Sequence, residues 1–279
     1  GQPVLLLRES SDVWINLNDA FRPIKKGPFQ GMFLWASERT GFCHLYLYDG
    51  QGTLVGALTA GDWMIEELVG VDEEKGIAYV TGTRDGPLEA HLYAVSLKEG
   101  TATNPRRITV EPGTHQVTLD SDCQCFIDLH HALDTPPHIN LRSLVDGALL
   151  AAVYEQTDPV VSDLALEPPE IVMLQNREGV LLYGAIYRPS AGSAPYPVVV
   201  SVYGGPHAQV VANSWMMTID MRAQHLRQQG FLVFMLDNRG AARRGLAFEG
   251  AIWHNMGDLE VKDQVDGVRW LTQQGLVDN

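Results

Sequence analysis

Val198-Val199-Val200-Ser201-Val202-Tyr203-Gly204-Gly205-Pro206 is a short β-branched run closed by Pro197 on one side and by Gly-Gly-Pro on the other. A run of this length without polar alternation predicts a central parallel strand covered on both faces. Tyr203 then stands at the carboxyl end of that strand, the edge of an open α/β sheet where ligands bind. The two glycines let backbone and phenol approach a substrate closely. Two readings stay open on spacing alone: a hydroxyl that donates to an oxyanion, or an ordinary buried strand ending in a turn.

The residues around this stretch alternate between strand and helix patterns. Glu170 to Leu174 and Leu181 to Tyr187 predict two antiparallel strands around the turn Asn176-Arg177-Glu178-Gly179. Met221 to Gln229 predicts a helix stopped by Gly230, and Phe231 to Leu236 a second buried strand terminated by Asp237-Asn238-Arg239-Gly240. Strand, helix, strand in this order implies a parallel pair. From Leu259 to Leu271, the apolar positions Val261, Val265, Val268 and Leu271 predict an amphipathic helix packed on the sheet, with Asp258 as its cap. A further strand is expected at Leu276-Val277-Asp278-Asn279.

Upstream the chain repeats itself. Strand-like pieces at Val4 to Leu7 and Val13 to Leu17 precede a hairpin of Phe33-Leu34-Trp35-Ala36-Ser37 and His44-Leu45-Tyr46-Leu47-Tyr48. Ile77 to Thr81 with His91-Leu92-Tyr93-Ala94-Val95 forms a second, and Cys125 to Leu129 with His138 to Leu141 a third. His44, His91 and His138 are spaced by 47 positions, and Ala57-Leu58-Thr59 corresponds to Arg107-Ile108-Thr109. A period of about 40 to 50 residues made of short strands is the mark of β-propeller blades, of which two to four are visible. Histidines at one register of repeated hairpins are expected to hydrogen-bond between adjacent strands, and Glu66-Glu67 and Glu73-Glu74 to be solvated blade edges. The pattern changes between Glu155 and Glu170, which places the domain boundary there.

Composition narrows the function. The 279 residues are 45% hydrophobic and 19% charged, a globular balance, with a formal charge of -14 that argues against nucleic acid or an anionic membrane as partner. No apolar run reaches the roughly 18 residues of a membrane span, and Gln2 to Arg8 is too short for the apolar core of a signal peptide. Cys123 and Cys125 would point the same way along a strand and cannot bond each other. With Cys43 they are expected to be reduced and buried, which slightly favours a cytoplasmic over a periplasmic setting. There is no C-x-x-C and no helical His pair, so no metal is expected. No G-x-G-x-x-G sits at a strand-to-helix turn, so no dinucleotide is expected either.

Phe33 to Glu38 with His44-Leu45-Tyr46, then Tyr203-Gly204-Gly205-Pro206, Asp237-Asn238-Arg239-Gly240 and Gly257-Asp258-Leu259-Glu260-Val261-Lys262-Asp263-Gln264 occur in that order behind the 47-residue repeat. Together they resemble the dipeptidyl peptidase IV group of the prolyl oligopeptidase family, over almost the whole chain. The resemblance implies a partial β-propeller over 1–166 and the first part of an α/β-hydrolase peptidase domain over 167–279. It implies a Ser, His and Asp enzyme that removes N-terminal dipeptides with proline or alanine second. Its partners would be a peptide substrate and a second copy, through a homodimer of the hydrolase domain, with no cofactor. Tyr203 falls on the family tyrosine whose hydroxyl joins a backbone N–H in stabilising the oxyanion.

The chain departs from that family in three ways. No serine has glycine two positions away on both sides, as the G-x-S-x-G elbow requires. The catalytic Asp and His follow the Ser in this fold and are therefore absent too. Glu66-Glu67 falls in a blade strand, not in the segment where family members hold a substrate amino group with paired glutamates. The chain by itself is expected to hydrolyse nothing. It is read as a piece of a longer dipeptidyl peptidase; the alternatives are a non-catalytic propeller-based binding module, or an acylaminoacyl peptidase or oligopeptidase of the same family. His207 and Trp215, close behind the Tyr203 turn, could line the site, with loop packing as the expected role of both, and Arg239 is expected to hold the turn after its strand and not to touch substrate.

Overall fold

Hydrophobic and aromatic residues on both faces of successive strands, separated by glycine turns, build the first part of the molecule. The computed structural model describes residues 3–98 and 104–278. The chain divides into two compact units: 1–130, 137–155 and 243–246 form unit 1, and 131–136, 156–242 and 247–279 form unit 2.

Unit 1 is built from three four-stranded antiparallel sheets, a few residues of the third belonging to unit 2. The first holds β1 (Arg22–Pro23), β2 (Phe33–Ser37), β3 (His44–Tyr48) and β4 (Leu54–Ala57); the second β5 (Ile65–Asp72), β6 (Ile77–Gly82), β7 (His91–Ser96) and β8 (Arg106–Arg107). The third holds β9 (Thr114–Leu119), β10 (Cys125–Ala132), β11 (Thr135–Ser143) and β12 (Leu149–Tyr154). Each sheet runs in sequence order, so short turns suffice to connect it. The turn after β3 shows how local chemistry sets this: Asp49 Oδ1 accepts from the N–H groups of Gln51 and Thr53. Gly52 there has φ 85°, and a Cβ on it would lie 2.1 Å from the Leu6 carbonyl oxygen, so only glycine fits. Leu34, Leu45, Leu47, Leu58, Val80, Tyr93 and Val95 share one buried core across the first two sheets.

The three expected hairpins are present, with β2 and β3 bounded as expected and in register from Phe33 opposite Tyr48 to Ser37 opposite His44. Two of the three repeated histidines, His44 and His91, behave alike, whereas the Nε2 of His138 lies 3.2 Å from His130 Nδ1 on the adjacent strand. His44 Nδ1 lies 3.0 Å from Thr59 Oγ1 and His91 Nδ1 lies 3.1 Å from Thr109 Oγ1, while the same hydroxyls accept from the N–H groups of Leu45 and Leu92. Three expectations fail. Val4 to Leu7 and Val13 to Leu17 are not strands. Cys123 sits in the turn before β10 with φ 52°, not in a strand, and only Cys43 is fully buried, its thiol pushed up to about 12 by burial and the nearby Glu38. Glu66 is not simply solvated, since its carboxylate meets Arg243 at 2.6 Å within unit 1.

Unit 2 is a mixed sheet flanked by helices. It contains β13 (Glu170–Gln175), β14 (Leu181–Tyr187), β15 (Val198–Val200) and β16 (Leu232–Asp237), ordered β13-β14-β16-β15. The β13/β14 and β14/β16 pairs are antiparallel and β15/β16 is parallel. The helical segments are α1 (Pro159–Asp163), α2 (Trp215–Thr218), α3 (Met221–Gln228), α4 (Leu246–Glu249), a 3₁₀ turn at Gly250–Ile252, and α5 (Leu259–Gln273). Asp220 caps α3 by accepting from the N–H groups of Arg222 and Ala223, and Gly230 at φ 92° follows its end. Leu182, Ile186, Leu232, Phe234, Leu236 and Leu271 form the core of the unit. Leu276 and Val277 form no strand, and Asn279 lies outside the described residues, as do Gly1, Gln2 and 99–103.

Two features of unit 2 correct the sequence reading. The β15 strand is three residues long, half-buried and at the edge of the sheet, not central. Helix α5 turns the wrong face inward by its hydrophobic pattern: Glu260, Asp263, Asp266, Gly267 and Leu271 are its buried residues, while Val261 and Val265 are exposed. Asp258 stands at the N-cap position as expected, but its side chain makes no capping hydrogen bond and its carboxylate instead pairs with Lys262 at 2.7 Å.

Candidate active site

The parallel ladder continues one step beyond β15, where Ser201 N–H donates to the Phe234 carbonyl at 2.8 Å, and the chain then leaves the sheet. Gly204 takes φ 79°, a left-handed turn conformation, and a Cβ on Gly205 would come 3.2 Å from Tyr203 Cε1, so the phenol ring lies against the glycine. Tyr203 is 61% exposed, and among the described residues its hydroxyl has no hydrogen-bond partner. It borders two sizeable hollows. One, of about 700 Å³, is lined by Gly204, Gly205, Met256, Gln264 and the exposed valines of α5. The other, of about 400 Å³, is lined by Ser201, Gln209, Ser214, Asp220 and Arg222 among others.

The end of β16 fixes this turn. Asp237 is buried and accepts from Val210 N–H at 2.7 Å and Val211 N–H at 3.2 Å, anchoring the segment downstream of Tyr203. Asn238 Nδ2 reaches the Gly204 carbonyl at 3.4 Å and the Arg239 carbonyl at 2.7 Å. From α5, Gln264 Nε2 donates to Asn238 Oδ1 at 2.9 Å and to the Leu236 carbonyl at 3.1 Å. The helix comes this near because residue 267 is glycine: a Cβ there would be 2.8 Å from the Phe234 ring and 2.9 Å from Leu236 Cδ2.

A buried charge network lies behind. Asp263 accepts from Arg239 at its N–H (2.9 Å), Nε (3.0 Å) and Nη2 (2.8 Å), and from Asn176 Nδ2 at 2.8 Å. Glu178 takes Arg239 Nη1 at 2.5 Å. Hydrogen bonding to Asp263, then to Glu178, raises the Arg239 guanidinium above the usual arginine range against the opposing effect of burial. Asp266 makes a parallel pair with Arg177, whose hydrogen bonds hold its carboxyl below the usual carboxylate range. Arg239 therefore holds a turn and lines neither of the two hollows.

Of the other residues near the turn, His207 has φ 63° and its Nδ1 faces Glu249 at 2.5 Å, while the Trp215 N–H donates to His131 Nδ1 at 3.3 Å. Neither lines the two hollows beside Tyr203. The three stretches 203–206, 237–240 and 257–264 are thus brought together. The roles of Asn238, Asp263 and Gln264 could not be read from periodicity, although all three lie inside stretches that carry the family resemblance. Among the described residues no group of three His, Cys, Asp or Glu could hold a metal ion, and no helix is long and apolar enough to cross a membrane.

A strand-end tyrosine over paired glycines, in a sheet of this order preceded in the sequence by antiparallel four-stranded sheets, defines the opening of a hydrolase-type domain that follows a propeller region. Residues 1–137 match the dipeptidyl peptidase IV N-terminal region, and 217–279 match the prolyl oligopeptidase family. Human dipeptidyl peptidase 8 is 31% identical over 312 aligned residues, covering 98% of this chain and 34% of that protein. The mouse protein of the same name is also 31% identical, and a probable dipeptidyl peptidase 4 of Emericella nidulans is 28% identical over 87% of this chain and 32% of its own length. The chain belongs to the prolyl oligopeptidase family, in its dipeptidyl peptidase IV group, and spans about a third of the length of the curated relatives it matches.

Proposed function

We propose that this chain is part of a serine exopeptidase that releases N-terminal dipeptides with proline or alanine second, and that Tyr203 donates to the oxyanion in that enzyme. The exposed, unpartnered hydroxyl of Tyr203 at the strand end carries the reading. A phenol supplies a donor without bringing a charge, and the bonds from Asp237, Asn238 and Gln264 hold its turn in place before any substrate arrives, which is the condition for electrostatic stabilisation without reorganisation. The three four-stranded sheets are read as three propeller blades, with 1–166 as the propeller part and 167–279 as the hydrolase part. No serine of the 279 residues stands in a G-x-S-x-G elbow, so the chain alone should show no turnover.

In a parent protein carrying the complete hydrolase domain, Tyr203→Phe should lower kcat for an Ala-Pro or Gly-Pro chromogenic substrate about 10²- to 10³-fold, with KM within a few-fold. An unchanged kcat would remove Tyr203 from the chemistry. Turnover by the 279-residue chain itself, lost on no substitution at Tyr203, would overturn the whole reading.

A further inference from the structure

We infer that the imidazoles of His115, His130 and His138 form an acid-sensitive latch in the sheet β9–β12, closed when His130 is neutral and opened when it takes a proton. The observation is a row of adjoining imidazole rings in unit 1 whose hydrogen bonds fix their protonation. His91 and His115 have ring centroids 5.2 Å apart, His115 and His130 stack at 4.3 Å with an interplanar angle of 19°, and His130 meets His138 edge-on at 4.8 Å.

His115 faces an acceptor at each nitrogen. Its Nε2 lies 2.9 Å from the Glu111 carbonyl oxygen and its Nδ1 lies 2.9 Å from Asp128 Oδ1. Carbonyl and carboxylate oxygens only accept, so both nitrogens must carry protons and the ring is an imidazolium. A proton on Asp128 instead would leave Arg142 Nε, 3.0 Å from Oδ2, facing a neutral group. Arg142 also pairs with Glu111 at 2.8 Å. The two cations His115 and Arg142 are thereby balanced by the two anions Asp128 and Glu111, all within one buried or half-buried cluster.

His130 is the opposite case. Its Nε2 donates to the Pro112 carbonyl at 2.9 Å, which leaves Nδ1 as an acceptor for His138 Nε2 at 3.2 Å. The ring is 3% exposed and neutral. A proton on Nδ1 would turn two N–H groups against each other and set a second cation on the face of the His115 imidazolium. The groups facing His130 are His115 from β9, Asp128 from its own strand and His138 from β11, with His91 and its partner Glu89 one ring further along. The Pro112 carbonyl favours the proton, and of the charged groups only Asp128 does, but Asp128 is already engaged by His115 and Arg142. Burial, with smaller contributions from His115 and His138, accordingly lowers His130 to about 4.

The sign follows from linkage. The opened strands bind a proton at the ordinary histidine value of 6.5 and the closed sheet only near 4, so closure is at full strength above 6.5 and weakens as pH falls toward 4. The dependence is at most about tenfold in the opening equilibrium per pH unit.

The test is amide hydrogen exchange of the 279-residue chain between pH 7.5 and 4.5, corrected for intrinsic rates. Protection in 114–130 and 137–143 is expected to fall several-fold to tenfold per unit below about pH 6.5, while 33–48 in the first sheet keeps its protection. In His130→Gln, whose amide can still donate to Pro112, the slope should vanish. Flat protection in the wild type, or an unchanged slope in the variant, overturns the latch. Should the variant not fold, ¹⁵N imidazole spectra of the wild type at pH 7 decide: doubly protonated His115 with Nε2–H His130 supports the latch, and a neutral His115 or a protonated His130 refutes it.

Discussion

Asp263→Ala isolates the buried charge network behind the Tyr203 turn. The Asp263 side chain is wholly buried and accepts four hydrogen bonds, three of them from Arg239, itself only 7% exposed. Truncation leaves the guanidinium with Glu178 alone, a partner about half exposed to solvent, and orphans the Arg239 N–H and one Asn176 amide donor. Breaking a buried pair from one side costs about 3 to 5 kcal/mol, a range that already includes such orphaned donors, so they are not added again. Asp266→Ala is the control. Its partner Arg177 is 41% exposed and recovers solvation when released, so the loss should be about 1 kcal/mol. Urea unfolding followed by far-UV circular dichroism would measure both variants. If Asp263→Ala cost no more than Asp266→Ala, the buried pair would not be what fixes α5, and the inward polar face would need another cause.

The two faces of α5 give a second, paired expectation. Gly267→Ala gains about 1 kcal/mol of helix propensity but drives a methyl into Phe234 and Leu236, so a net loss of about 1 to 2 kcal/mol is expected by the same unfolding assay. Val261→Ser, on the exposed face, should change stability by under about 0.5 kcal/mol. For Glu111, burial opposes ionisation, but its own N–H and Arg142 outweigh that and hold the carboxyl at about 2. Its contribution is present above pH 4.5 and is lost as pH falls from there toward 2; the carboxylate is partly exposed, so at most about 1 kcal/mol is at stake. Glu111→Gln should therefore flatten the acid limb of a thermal unfolding profile below pH 4.5, because it removes that contribution of at most about 1 kcal/mol at neutral pH and converges with the wild type in acid.

The hairpins were legible because both of their faces are covered. Phe33-Leu34-Trp35-Ala36-Ser37 and His44-Leu45-Tyr46-Leu47-Tyr48 are almost wholly buried, so nearly every residue reports the environment and the turn glycines mark the ends. The His44–Thr59 and His91–Thr109 pairs were legible for a related reason: a buried imidazole needs a partner at a fixed place, and the repeat displays it twice. Val13 to Leu17 looked like a strand by composition, but Ile15 and Leu17 are exposed and no neighbour pairs with them. The β15 run was apolar enough for a central strand, and apolarity does not say whether the second neighbour is present.

Helix α5 shows why part of the site escaped pattern reading. Periodicity assumes that the apolar stripe faces the sheet, yet here two aspartates face inward because arginines supplied from 24 and 89 positions away neutralise them. Glycine at 267, invisible to a hydrophobic count, brings the helix within reach, and Gln264 can then bond the end of β16. Once that contact exists, Asn238 is oriented toward Gly204, and Asp237 holds the chain at Val210 and Val211. The stretches 203–206, 237–240 and 257–264 are therefore one physical object: a turn, the strand end that pins it and the helix that pins the strand end. None of the polar contacts has a period, so propensity cannot see them. They are nonetheless fixed in residue type and order, which is what a family resemblance detects, and that explains why the same residues were recognised as a string but not assigned their roles.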